Sequence, residues 1–345
     1  MVFPARPLVW LAQQHGDLFD QLGQVEDSLK SRFSGLDDAV DALMLSILSG
    51  EALLLIGPPG TAKSRLIRAF CGLLGLLDLE EPQRRHPDYF EYLLTPFTEP
   101  GELFGFYDAA QAAQHGRLVR QSGDWLQTAR VVYLDEVFNG SSAILNSLLA
   151  VMNERVFHDR GERTPVQLQC LFAATNEIPD TPELRAIFDR FLLRAVVKNV
   201  DVHVAGGPER VGTLLTRGWS ETYGSTADAR SYERLLELSQ ALRDEIHDLT
   251  VRGHLRLLDS SPFFQDLARL VRITRDDDLS EMSNRRMVKM LHVMLLHRLY
   301  QAARRDEVDE DSLVLGEAEL GLVGRFFLDR GDEEIVRKLN RALVR

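Results

Sequence analysis

Cysteine is scarce in this sequence: Cys71 and Cys170 are the two present in 345 residues. Two thiols cannot build a disulfide scaffold, and both stand in apolar surroundings, so buried thiols in a reducing compartment are expected. No Cys/His spacing has the form of a zinc site. His292 and His297 are five apart on an expected helix, face different directions and make poor co-ligands. Long apolar runs are absent as well. No stretch reaches the roughly 20 apolar residues a membrane span needs. The opening "MVFPARPLVWLAQQHG" has neither a sustained apolar core nor a small-residue cleavage site, so a cytoplasmic location is expected. Basic residues are outnumbered, 40 against 52 acidic ones, for a net charge of −12. That balance argues against a general nucleic-acid binder, which is more often basic. There is no "GxSxG", no metal-binding His-Glu helix and no reactive-cysteine setting. Internal repeats and low-complexity tracts are missing too.

What is present is an ordinary globular composition, 45% hydrophobic and 27% charged, long enough for two or three domains. In the first 200 residues, apolar runs alternate with helical patterns. The runs are Ala52–Ile56, Glu91–Thr95, Val131–Asp135, Leu168–Thr175 and Leu192–Val197. Several are apolar throughout, as strands covered on both faces should be. Alternation with helices predicts a parallel five-stranded α/β sheet. The first 34 residues are expected to be helical and outside the sheet, with the sheet domain over 35–200. Residues 201–227, rich in Gly, Thr and Ser, read as a linker or insertion, with at most a short helix. From 228 to 345 a small all-α domain is expected. Its stripes are Leu235/Leu238/Leu242/Ile246, Phe263/Phe264/Leu267/Leu270/Val271 and Met287/Leu291/Met294/Leu295, and a last helix covers Asp332 to Leu343.

The stretch "LLLIGPPGTAKSRLIRAF", Leu53–Phe70, breaks a good strand with Gly and Pro and restarts as a helix. A glycine-rich turn there aims several backbone N–H groups into one concavity, and the helix N-terminus adds partial positive charge. That is a phosphate cradle made mostly of backbone. Its residues are Gly57, Pro58, Pro59, Gly60, Thr61, Ala62, Lys63, Ser64 and Arg65. Lys63 is placed for the β- and γ-phosphates and the Ser64 hydroxyl for Mg²⁺. The strict motif has glycine where this chain has Ala62. The difference matters if that residue needs positive φ; at the first turn of a helix, alanine is favourable.

"VVYLDE" places Asp135 and Glu136 at the end of an apolar strand, facing the same crevice. Asp135 suits Mg²⁺ held through its water shell, and Glu136 suits polarisation of an attacking water. A third strand ends in "AATNE", where Asn176 is placed to orient that water and sense the γ-phosphate, though asparagine is also common where strands end. No guanine-reading "NKxD" occurs, so ATP is the expected nucleotide.

The glycine-rich loop, "LDE", "ATN", "FDRF" and "SNRR", in this order, resemble an AAA+ ATPase over about residues 35–300. Alanine before the lysine, "TPFTEPGELFG" at Thr95–Gly105 and "ILNSLLAVMNERVF" at Ile144–Phe157 resemble its MoxR branch, RavA-like members in particular. The resemblance implies a ring, usually a hexamer, with ATP at each subunit boundary and a protein client to be remodelled or activated. The usual partner in such systems is a von Willebrand factor A (VWA) domain protein. It implies that Arg190 in "IFDRF" is the arginine finger lent to a neighbour, with Arg185 as a second candidate. Arg285 in "SNRR" matches the sensor arginine of the helical lid domain, with Arg286 as rival. "ERVFHDRGERTPVQLQ" fits a hairpin with Gly161 at its tip, of the kind related rings turn toward the pore. Phe97, Phe104, Phe106 and Tyr107 either reach that pore or pack the insert onto the sheet.

Two other functions compete. A nucleic-acid motor shares this broad branch, but a hairpin tip mixing His158, Arg160 and Arg163 with Asp159 and Glu162 makes a poor phosphate groove. A nucleotide-regulated scaffold with little turnover has Ala62 as its support.

Overall fold

The computed structural model describes residues 2–78, 86–115, 118–121, 123–160, 162–200, 206–223, 231–258, 261–329 and 333–343. Gly161 and residues 201–205 and 224–227, which carry parts of the expected hairpin and linker, lie outside them. Three helices come first: α1 (Ala5–Gln14), α2 (Gly16–Arg32) and α3 (Asp37–Ser49). The phosphate-loop unit follows as β1 (Leu53–Ile56) and α4 (Lys63–Leu73). Next are β2 (Tyr89–Leu93), α5 (Pro100–Phe104), α6 (Ala109–His115), β3 (Val131–Asp135) and α7 (Ser142–Glu154). A hairpin of β4 (Val156–Asp159) and β5 (Glu162–Pro165) precedes β6 (Cys170–Thr175), α8 (Pro182–Phe188) and β7 (Leu193–Val196). The rest is helical: α9 (Gly207–Tyr223), α10 (Leu235–Val251), α11 (Phe263–Asp276), α12 (Asn284–Arg304), α13 (Glu317–Phe326) and α14 (Glu333–Leu343).

Five strands form one parallel sheet in the order β2-β3-β6-β1-β7, and β4 pairs antiparallel with β5. Side chains alternate across the sheet with period two. Leu53, Leu55, Tyr133, Phe172 and Ala195 face one core with α2, α3, α4, α10 and α12. Leu54, Ile56, Val132, Leu134 and Ala173 face the other with α7 and α8. Both sets are buried, which is why the strands read as continuous apolar runs.

The second strand is Tyr89–Leu93, two residues earlier than the sequence predicts. Tyr89 and Phe90 are buried and pair with Val131 and Val132. At Thr95 the chain already turns, with the Thr95 amide donating to Thr98 Oγ1 and the Thr98 amide to the Thr95 carbonyl. Residues Gly207–Tyr223 form a helix of 17 residues, longer than the sequence predicts. Tertiary contacts hold it: Glu221 pairs with Arg32 at 2.6 Å, and Arg217 donates to the Lys30 carbonyl at 2.9 Å. The first helices pack onto the last ones, with Phe19 and Tyr300 ring centroids 6.2 Å apart and the Tyr300 hydroxyl donating to Glu26. The hairpin and the segment before β3 are tied together. Asp159 accepts from the Tyr107 hydroxyl at 2.8 Å and from Arg120 Nε at 2.9 Å.

Candidate active site

The strand order decides what meets what. β6 lies between β1 and β3, so the turn after β1, the acids after β3 and the asparagine after β6 emerge side by side at the C-terminal edge. The turn is built by close approach. A Cβ on Gly57 would stand 2.0 Å from the Val197 carbonyl oxygen, so only glycine fits against β7 there. Gly60 has φ +83° and Ala62 φ 64°. Ala62 is therefore the left-handed residue capping α4 rather than its first turn, and alanine there is unfavourable, contrary to the reading of it as a good helix starter. A non-glycine residue in that region costs about 1–2 kcal/mol.

From that cap, Lys63 begins α4 and is buried at 7% exposure. Its ammonium donates to the Gly57 carbonyl at 2.5 Å, the Pro58 carbonyl at 3.0 Å and Asn176 Oδ1 at 3.3 Å. The Thr61 hydroxyl also donates to the Pro58 carbonyl, at 2.9 Å. Pro58, Pro59 and Gly60 are exposed, leaving the outer side of the turn open. Burial pushes the Lys63 ammonium down, while Glu136 and Asp135 oppose the shift. Ser64 donates to Asp135 Oδ2 at 2.8 Å, which brings together the two expected metal-handling oxygens.

Glu136 follows in the left-handed region, φ 51°, and its amide donates to Asp135 Oδ1 at 3.1 Å. Such a backbone is costly for a non-glycine residue and persists where surroundings over-determine it. The carboxylate meets Asn176, whose Nδ2 donates to Glu136 Oε1. Asn176 thus contacts both Lys63 and Glu136. Burial raises the Glu136 pKa, Asp135 raises it further, and Lys63 opposes them.

Tyr133 is one residue the sequence reading passes over. It is fully buried on β3, two positions before Asp135, with its hydroxyl near Ser64 and Asp135 but meeting no hydrogen-bond partner of good geometry among the described residues. A hydrated Mg²⁺ between Ser64 and Asp135 would supply one, so these residues fit the metal. The alternation of β3 puts Tyr133 and Asp135 on one face, a signal that was available. Arg65 is turned differently from its neighbours. Its guanidinium donates to the Glu221 carbonyl on α9, and what it offers the loop is its main-chain amide.

Arg190 and Arg285 are not brought to this loop. They line one pocket with Glu51, Ala52, Leu192 and Lys289, at the N-terminal ends of β1 and β7. The length of β1, on the order of 13 Å at 3.3 Å per residue, separates that edge from the loop. Arg285, expected as the lid-domain sensor, stands in that pocket because its helix begins at the sheet edge opposite its own chain's loop. Arg286, its rival, is buried at 3% exposure and bonded to Ser280, Asp329 and the Phe327 carbonyl. Arg185 stands within α8, one turn before Asp189, whose amide donates to the Arg185 carbonyl at 2.9 Å. The aromatics of the insert divide. Phe104 is buried and stacks on Phe157, centroids 4.4 Å apart, whereas Phe97 is 89% exposed. At the hairpin, Arg163 pairs with Glu154 at 2.5 Å and Asp159 with Arg120, so these charges are met within the chain. Among the described residues no helix is long and apolar enough to cross a membrane.

Comparison with known proteins agrees with this geometry. A family profile described as the MoxR domain in the MoxR-vWA-beta-propeller ternary systems matches residues 20–240. Two uncharacterized proteins of Methanocaldococcus jannaschii are each 38% identical, over 184 and 179 residues, covering 53% and 52% of this chain. The chain spans about half the length of these curated relatives, 46% and 45%. The chaperone protein ClpB of Clostridium tetani is 26% identical over 172 residues, 46% of this chain and 19% of ClpB. In fold, the crystal structure of a candidate ATPase from Cytophaga hutchinsonii superimposes with a TM-score of 0.60 at 16% identity, over 96% of this chain and 97% of that one. The profile covers well over half of the sequence, and the chain belongs to the MoxR family of AAA+ ATPases.

Proposed function

We propose that this chain hydrolyses ATP at a boundary between copies of itself and uses the cycle to remodel a protein client, with a VWA-domain protein as partner. The observation that carries the reading is the contact of Asn176 with both Lys63 and Glu136 beside the Ser64–Asp135 pair. Backbone amides of Gly60–Ser64 and the Lys63 ammonium receive the triphosphate. Ser64 and Asp135 hold Mg²⁺, which, when bound, neutralises charge on the phosphates. Glu136 takes a proton from the attacking water, and Asn176 orients it.

The arginines complete the site from outside. Arg190 and Arg285 share one pocket at the opposite sheet edge, so a head-to-tail ring turns both toward the next subunit's nucleotide. A guanidinium lent in this way is worth roughly 10³–10⁵ in rate. A hexamer is the ring size expected of the family. The VWA partner rests on the family's description as part of ternary systems and on Phe97, whose exposure leaves it free to touch a client.

The test is ATP turnover and nucleotide binding of the wild-type chain beside Lys63→Ala, Glu136→Gln and Arg190→Ala, at concentrations that form the assembly. Loss of binding in the first, loss of turnover with retained binding in the second, and loss of turnover only on assembly in the third are expected. Unchanged turnover in Lys63→Ala defeats the reading. Partners that co-purify with the Glu136→Gln form, held in its ATP state, identify the client.

A further inference from the structure

We infer that Asp189 is a positioning residue for Arg190, and that its own place is set by Arg286 on the first turn of α12. The inference rests on the proposed action of Arg190 in a neighbouring subunit. Arg190 lies just past the end of α8 and is about one-third exposed. Its Nη1 reaches Asp189 Oδ2 at 3.3 Å, and its buried Nε has no hydrogen-bond partner among the described residues. Among the described residues, one carboxylate therefore steers this guanidinium.

The other oxygen of that carboxylate, Oδ1, faces Arg286 Nη1 at 3.4 Å. Arg286 is rigidly held. It donates to Ser280 Oγ at 2.9 Å, Asp329 Oδ1 at 2.8 Å and the Phe327 carbonyl at 2.6 Å. From the sheet side, Arg194 shares Asp329, donates to the Phe188 carbonyl at 2.8 Å and lies 4.0 Å over the Phe188 ring. The end of α8 is thus clamped between β7 and the helical domain. Charge-assisted hydrogen bonds usually run at 2.7–2.9 Å. At 3.3 and 3.4 Å, the two Asp189 contacts are longer than the contacts both arginines make to Asp329, and are the looser carboxylate links of the network. A small shift of α12 is taken up there and changes where Arg190 points. In this way one subunit's helical domain sets hydrolysis in the next.

Mixed assemblies test this. A Glu136→Gln subunit lacks its own base but still lends Arg190; an Arg190→Ala subunit lends no guanidinium from position 190 but keeps its base. Mixing the two restores turnover if Arg190 acts on the neighbour. Asp189→Ala placed in the Glu136→Gln subunit is expected to lower the restored kcat about ten- to a hundredfold, the loss that a misplacement near 1 Å brings, with KM unchanged. Placed in the Arg190→Ala subunit, the same substitution should change nothing, since no guanidinium is left to steer. Arg286→Lys in the Glu136→Gln subunit should lower kcat in the same sense, and Asp189→Glu should recover part of it. Equal loss from both placements, or no loss from either, overturns the positioning role while leaving the neighbour's use of Arg190 intact. A mixture that restores no turnover before Asp189 is touched overturns both.

Discussion

Asn176 hands its amide nitrogen to Glu136 and its amide oxygen to Lys63, 3.3 Å away. One side chain just past β6 therefore joins the phosphate-binding lysine after β1 to the acid after β3. Asn176→Ala should lower kcat by about 10²-fold while leaving ATP affinity within a few-fold, because it removes orientation of a general base rather than phosphate contacts. Single-turnover hydrolysis beside equilibrium nucleotide binding separates the two effects.

The pH dependence follows from Glu136. Burial and Asp135 hold its carboxyl above the ordinary carboxylate range. A base works when deprotonated, so the acid limb of kcat should lie above that of an exposed glutamate and vanish in Glu136→Gln. For stability the sign reverses. A carboxyl whose folded-state pKa is raised keeps its proton better in the fold, so its stabilising share is present at low pH. That share is lost as pH rises past the ordinary range to the raised value. Glu136→Gln should therefore gain stability over wild type above that window and not below it, as read from urea unfolding at several pH values.

Ala62 at φ 64° predicts a gain from glycine. Relief of roughly 1–2 kcal/mol of left-handed strain, less the about 0.4–1 kcal/mol that a glycine's freer unfolded chain takes back, leaves Ala62→Gly more stable by up to about 1.6 kcal/mol. A lower urea midpoint than wild type would show that the alanine methyl is held by contacts worth more than the strain. Gly57→Ala should behave oppositely and fail to fold, given the Val197 carbonyl 2.0 Å from the added carbon.

Asp329 is the shared counter-ion of two buried arginines, Arg194 and Arg286. Burial and then Arg286 push the Arg194 pKa down, while both arginines draw Asp329 below the ordinary range. Asp329→Asn leaves two buried guanidinia with the longer Asp189 contact of Arg286 as their remaining carboxylate partner, and should cost on the order of 3 kcal/mol. Chemical denaturation at neutral pH measures it.

Phe97 and Phe104 should separate function from fold. Phe104→Ala empties the stack on Phe157 and should destabilise by about 3–5 kcal/mol. Phe97→Ser touches an 89% exposed side chain, and should leave stability within about 0.5 kcal/mol and basal turnover unchanged. Loss of client-stimulated turnover in Phe97→Ser alone assigns that loop to the client.

Much of the sheet is legible in the sequence because the three central strands, β3, β6 and β1, are buried on both faces, so apolar runs mark them. Tyr89–Leu93 is read two residues late because Leu94 prolongs the apolar signal past Leu93, the last paired residue. α9 reads as a connector because Gly207, Gly212 and Gly218 weaken its pattern, and its anchors, Arg32 and Lys30, lie far away in sequence. α13 goes unread for a similar reason, interrupted by Gly321 and Gly324. The loop, acids and asparagine are legible because each ends a strand. The cap at Ala62 is not, since a left-handed angle is a property of the folded turn. Asp189 and Tyr133 gain meaning only from partners that the fold brings to them.

The knot at Asp159, where Tyr107 and Arg120 meet the hairpin, fuses two protrusions into a single lever. A load on β4 at Asp159 is shared at once with Tyr107 and Arg120, and from Tyr107 the chain traces back through α5 to the end of β2. Neither arm swings alone, so whatever pulls on one reaches the sheet edge beside Asp135 through the other.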